Sequence, residues 1–136
     1  MKAILIKAPV CFLALLFSLW TDQAVAQSKV GESIEIAFKA DRTGKDLERD
    51  LILNLKNKAD GKPVLGASVE IDVDMTSMPM MHKVPKATAK PSDVPGEYRA
   101  RVKLEMAGEW AAHITVKSPS RLRTVRKFQV SEGGGK

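Results

Sequence analysis

The chain has 136 residues, 44% hydrophobic and 28% charged, with 22 basic and 16 acidic side chains and a formal charge of +6. Such a composition describes one globular domain and excludes a multidomain enzyme. A single cysteine excludes an internal disulfide and every metal site built from several thiolates.

Taken in chain order, the first segment is a leader. Lys2 and Lys7 give a basic start, Ala8 to Trp20 an apolar run, and Ala24-Val25-Ala26 the small-x-small pattern of a signal-peptidase site. These features predict a signal peptide over residues 1–26, a mature chain from Gln27 and a periplasmic location. The alternative is a retained anchor, but a spanning helix needs about 20 apolar residues, and Lys7, Pro9 and Asp22 cut this run short. Cys11 falls inside the leader, so the mature chain carries no thiol. Removing Lys2, Lys7 and Asp22 leaves 20 basic against 15 acidic residues. Outside the cytoplasm that surplus points away from nucleic acid, and toward anionic headgroups, an acidic protein partner or simply a solvated surface.

From Gln27 onward the apolar residues alternate with period two, the signature of half-buried strands. Ile34, Ile36 and Phe38 mark the first strand, and Leu51, Leu53 and Leu55 the second, which runs into an Asp60-Gly61 turn cluster. Val69, Ile71 and Val73 mark the third, Tyr98 to Leu104 the fourth, and Trp110 to Val116 the fifth. The last run, Leu122 to Val130, is out of phase at Arg126, which a bulge near Val125 would repair. Asp41 to Glu48 has room for one helical turn at most. Thr76 to Pro95, with Pro79, Pro85, Pro91 and Pro95 and no alternation, reads as one long connection. The whole predicts an antiparallel, immunoglobulin-like β-sandwich of about seven short strands over residues 27–131, with a flexible tail at 132–136.

Chemistry concentrates at the start of that connection. Met75-Thr76-Ser77-Met78-Pro79-Met80-Met81-His82 holds four of the six methionines and one of the two histidines. Thioether sulfur is a soft, neutral donor suited to Cu(I), and imidazole is its borderline partner. Met75 continues the inward phase of Val73, and Met106 that of Leu104, so both sit at strand ends on the core side. If those strands open at the same end, both can reach the loop. An extended Met78-Pro79-Met80 would place two sulfurs on one side and Met81 on the other. Candidate metal ligands are therefore Met78, Met80, Met81 and His82, with Met75 and Met106 as further donors or as core filler.

Other chemistry has little support. No Gly-x-Ser-x-Gly elbow or glycine-rich phosphate loop occurs, His113 has the outward phase of a surface histidine, and Asp72 and Asp74 read as a solvated strand face. No enzymatic activity is expected. Arg99, Arg101, Lys103, Arg121, Arg123, Arg126 and Lys127 would gather on one face, and dock an acidic partner, if the strands carrying them were neighbours.

The ordered segments Asp60 to Ala67, Met78 to His82, Gly96-Glu97-Tyr98, Met106-Ala107-Gly108-Glu109-Trp110 and Phe128-Gln129-Val130 resemble the FixH/YtkA-like family of exported domains. The resemblance implies an immunoglobulin-like sandwich outside the cytoplasm, tied to copper handling or to assembly of copper-containing respiratory oxidases. It makes Met78 to Met81 and Met106 to Trp110 the recurring segments, with Gly108 as a tight turn and Trp110 as a core anchor. The cleavable-looking leader departs from the membrane-anchored FixH type. The function expected is an exported copper-binding accessory or carrier protein, with copper, as Cu(I), its ligand and a membrane-associated copper protein or oxidase complex its partner. The alternative is a metal-free interaction module whose methionine loop is an adaptable apolar contact surface.

Overall fold

The computed structural model describes residues 33–131; the expected signal peptide and C-terminal tail lie outside the described residues. Seven strands form: β1 (Ile34–Arg42), β2 (Glu48–Asn57), β3 (Ser68–Met75), β4 (Lys83–Pro91), β5 (Glu97–Lys103), β6 (Gly108–Ser118) and β7 (Leu122–Val130). They hydrogen-bond antiparallel in the order β1-β2-β5-β4-β3-β6-β7. β4 pairs with β3 up to Ala89 and with β5 at Lys90 and Pro91, and so joins the β1-β2-β5 side to the β3-β6-β7 side. The result is the expected all-β, sandwich-like fold, nearly closed on itself.

Alternation makes this fold because each strand offers one apolar row. Leu51, Leu53 and Leu55 of β2, Val69, Ile71 and Val73 of β3, Tyr98 and Val102 of β5, and Trp110, Ile114 and Val116 of β6 meet in a single core. Burying one such aliphatic side chain contributes roughly 1.5–3 kcal/mol, so two facing rows hold the domain without a disulfide. The Tyr98 hydroxyl donates to the Val64 carbonyl at 2.9 Å and accepts from the Ala67 N–H at 2.9 Å, which ties the β2–β3 loop to the core. Among the described residues one buried position is not apolar. Arg49 is 4% exposed, and its Nη1–H donates to the Glu48 carbonyl at 2.8 Å.

Two expectations are corrected. The stretch from Thr76 to Pro95 is not one long connection, because β4 occupies Lys83–Pro91. Its alternation is hidden by a bulge: Ile71 pairs with Ala87 but Val73 with Val84, so β4 holds an extra residue where Pro85, which has no N–H to give, and Lys86 stand. Its inward side chains are also small, apart from Val84. No bulge occurs near Val125, since β6 and β7 stay in register from Gly108↔Val130 to Val116↔Leu122. Arg126 keeps the inward phase at an open sheet edge, where its long side chain escapes toward β1.

The register also assigns the two ends. Residues 43–47, 76–82 and 104–107 and the end of β7 lie together, as Arg42↔Arg49, Glu48↔Lys103, Met75↔Trp110 and Gly108↔Val130 require. Ser33 and the other three loops lie at the opposite end.

Ion pairs on the outer faces make stability acid-sensitive. Arg101 holds Asp50 bidentately, Nε to Oδ1 at 2.7 Å and Nη2 to Oδ2 at 3.0 Å, and that hydrogen bonding keeps the Asp50 carboxyl below its ordinary value. Glu97 is held down by the Ser92 hydroxyl and Arg99, and Glu70 by Lys117. A carboxyl whose pKa is depressed on folding adds stability above its unfolded pKa of about 4 and loses it as pH falls through the folded value. Thermal melts should therefore be flat near neutrality and fall below about pH 4, and Asp50→Asn should lower the neutral-pH melting temperature while flattening the acid limb. An unchanged acid limb in that variant would remove Asp50 from the account.

Candidate functional site

The methionine segment becomes a compact hairpin connection between β3 and β4. Met78 N–H donates to the Met75 carbonyl at 3.1 Å, Met81 and His82 N–H both donate to the Met78 carbonyl at 3.1 Å, and Met75 N–H closes the hairpin on the His82 carbonyl at 3.1 Å. Met78 to Met81 is thus a turn with Pro79 at its second position, where the ring presets φ. The segment is not extended as the sequence reading supposed, because these main-chain bonds fold it into consecutive turns. Its base is fastened to β6: Thr76 N–H donates to the Glu109 carbonyl at 3.1 Å, and Thr76 Oγ1 lies 2.9 Å from Glu109 Oε1. The Thr76 hydroxyl, and then Lys127, hold the Glu109 carboxyl below its ordinary value.

The thioethers divide into two groups. Met80 is 93% exposed, Met81 76% and Met78 41%, so the hairpin presents three sulfur side chains to solvent. Met75 is buried in the core against Gly108, where an added Cβ would strike its Cε. Met106 is half-buried against the core, and its carbonyl accepts the Trp110 Nε1–H at 3.2 Å. β3 and β5 do open at the same end, and Met75 and Met106 lie there, Met75 in the core and Met106 packed against it.

His82 links the hairpin to the β5–β6 loop. Its Nδ1 lies 2.6 Å from Glu105 Oε2. An ionised carboxylate only accepts, so Nδ1 is the donor in this contact, and in the neutral imidazole Nε2 is then the nitrogen with the lone pair. A carboxylate behind one imidazole nitrogen is the arrangement that orients histidines ligating through the other. Sequence reasoning missed Glu105: it stands 23 residues from His82, and only the fold brings them together. Its one trace was its place immediately before the Met106 to Trp110 segment.

The remaining candidates settle elsewhere. His113 faces outward, half-buried, with Nε2 3.2 Å from Asp74 Oδ1, and Asp72 pairs with Lys86 at 3.4 Å. Among the described residues no three His, Cys, Asp or Glu side chains converge as a metal-binding group. The donors gathered at one place are thus thioethers and an imidazole, a soft-to-borderline set.

Fold and site together define a small all-β domain carrying a methionine-bearing hairpin and a carboxylate-oriented histidine at one end. The model of the YtkA-like family matches residues 28–115, from just ahead of β1 into β6, and the chain belongs to that family. Neither a curated relative nor a solved structure shows detectable similarity to it.

Proposed function

We propose that this protein is an exported, non-enzymatic copper carrier or accessory domain of the periplasm, binding Cu(I) as cargo through Met78, Met80, Met81 and His82. The observation that carries the reading is the pairing of three outward thioethers with a histidine whose Nδ1 is held by Glu105, so that Nε2 is the ring donor left for a metal. Thioethers are not protonated at ordinary pH and bind Cu(I) without charge neutralisation. Several weak thioether ligands permit stepwise exchange with a partner's ligands, as a donor to copper-oxidase assembly requires. Met75 and Met106 form the packed floor of the site in this reading. The exposure of Met80 and Met81 also supports a second reading, an adaptable apolar contact surface that binds no metal.

An anaerobic Cu(I) competition titration against a chromophoric chelator separates the two. All seven strands and the core lie within residues 33–131, so residues 27–136 include the folding unit. That fragment is expected to take up one Cu(I), and Met78→Leu, Met80→Leu and Met81→Leu together should abolish uptake while sparing the melting temperature, because leucine keeps apolar volume without sulfur. Glu105→Gln should weaken binding by roughly 10-fold or more, the usual effect of removing a carboxylate behind a ligating histidine. Failure of the wild type to compete even with a weak chelator overturns the carrier reading and leaves the contact surface.

A further inference from the structure

Among the described residues β1 and β7 each pair with one neighbour only, and their free edges face one another without a hydrogen-bonded ladder. The seam is pinned at both ends. Toward the methionine end, Phe38 packs on Phe128 with ring centroids 5.9 Å apart and Arg42 donates to Ser131; at the other end Ser33 Oγ lies 3.3 Å from Ser120 Oγ. Between these pins is an open cavity of about 320 Å³ walled by Ile34, Ile36 and Leu122 and rimmed by Lys58, Arg123 and Arg126, against the single carboxylate of Glu35.

The cations of this rim, Lys58, Arg123 and Arg126, like Lys45, Lys83 and Lys90 elsewhere on the surface, form no ion pair among the described residues. Arg99, Arg101, Lys117 and Lys127 each meet a carboxylate. The fold has also split the basic cluster expected from the sequence. Arg99, Arg101 and Lys103 lie on β5, four strands from β7 in the sheet order, and only the β7 group stands at the seam. Arg126 Nη1 donates to Thr124 Oγ1 at 2.9 Å and to the Val125 carbonyl at 3.3 Å, both on its own strand, while Nη2 reaches the Ile36 carbonyl at 3.5 Å, so the guanidinium crosses the seam by one long hydrogen bond.

We infer that this seam binds an acidic, extended segment of a partner protein, laid along the free edge of β7 with its carboxylates on Lys58, Arg123 and Arg126. Two features select that occupant. An unpaired strand edge carries the alternating N–H and C=O groups that only another extended backbone can ladder with, and the rim is net positive around an apolar floor, which fits acidic residues alternating with apolar ones. The seam is independent of the copper site and the inference does not rest on it.

The probe is a fluorescein-labelled peptide of alternating glutamate and valine, titrated by anisotropy with residues 27–136 at low salt. Binding that weakens with added salt is expected. Arg123→Glu with Arg126→Glu should weaken it by about 10-fold or more, and the milder Arg123→Ala with Arg126→Ala in the same direction. A charge-matched pair outside the seam, Lys45→Glu with Lys90→Glu, should change it by less than about 2-fold. Amides of β7 and β1 should gain exchange protection with peptide bound. The inference is overturned if the wild type does not bind, which would make these charges guards against edge-to-edge aggregation. It is equally overturned if both charge-reversal pairs lose the same affinity, if protection appears on the methionine hairpin, or if the seam variants lose phosphatidylglycerol vesicles and keep the peptide.

Discussion

Trp110→Ala is expected to remove about 3–5 kcal/mol of folding stability, a large part of the roughly 5–15 kcal/mol available to a domain of this size. Trp110 is fully buried and heads the largest core side chains. It stands opposite Met75 in the β3–β6 register, and its Nε1–H satisfies the Met106 carbonyl. Alanine would leave a cavity in the floor on which the methionine hairpin rests and would free the β5–β6 loop that holds Glu105. Urea denaturation followed by circular dichroism measures the loss. Trp110→Phe, which keeps most of the volume and gives up the hydrogen bond, should fall between the two. A loss below about 1 kcal/mol in the alanine variant would mean the core collapses into the space, and the anchoring role would fail.

Gly96→Ala is the second large effect, expected at about 2–5 kcal/mol from a left-handed backbone and an overpacked contact together. Gly96 has φ +79°, and a Cβ there would lie 2.7 Å from Pro63 Cβ and 2.9 Å from the Leu55 carbonyl oxygen. Neither neighbour is the free end of a flexible side chain. The Gly96 carbonyl also accepts the Leu55 N–H at 2.8 Å, so the β4–β5 turn cannot move away without breaking that bond. Gly61→Ala supplies the comparison: φ is +68° but no atom lies within 4 Å of the added methyl, so it should cost only about 1 kcal/mol. Equal losses at the two positions would show that backbone conformation alone matters and that the contact with Pro63 yields.

The strands at 34–38, 51–55, 69–73, 98–104 and 110–116 were legible because each has a row of large apolar residues at strict period two, a local property of the chain. β4 was not, since Ala87 and Ala89 are weak markers and the bulge at Pro85 and Lys86 shifts the phase. Arg126 misled in the opposite way: an arginine in an inward position implies a bulge only where that position is enclosed, and strand order, a non-local property, decides whether it is. For the candidate site, the clustered methionines could be seen at once. Their division into three exposed and two packed thioethers could not, because it depends on turn hydrogen bonds and on Gly108 receiving Met75. The His82–Glu105 contact is likewise a product of topology.

The placement of Ser33 at the end remote from the hairpin has a mechanical consequence. β1 runs from Ser33 toward the methionine end, and nine residues at about 3.3 Å each set a rigid reach of roughly 30 Å. Any segment tethering the domain through its N-terminal side would thus hold it by the heel, with the three exposed thioethers at the toe. Shortening or lengthening the tether would change the radius swept by the hairpin without altering its shape.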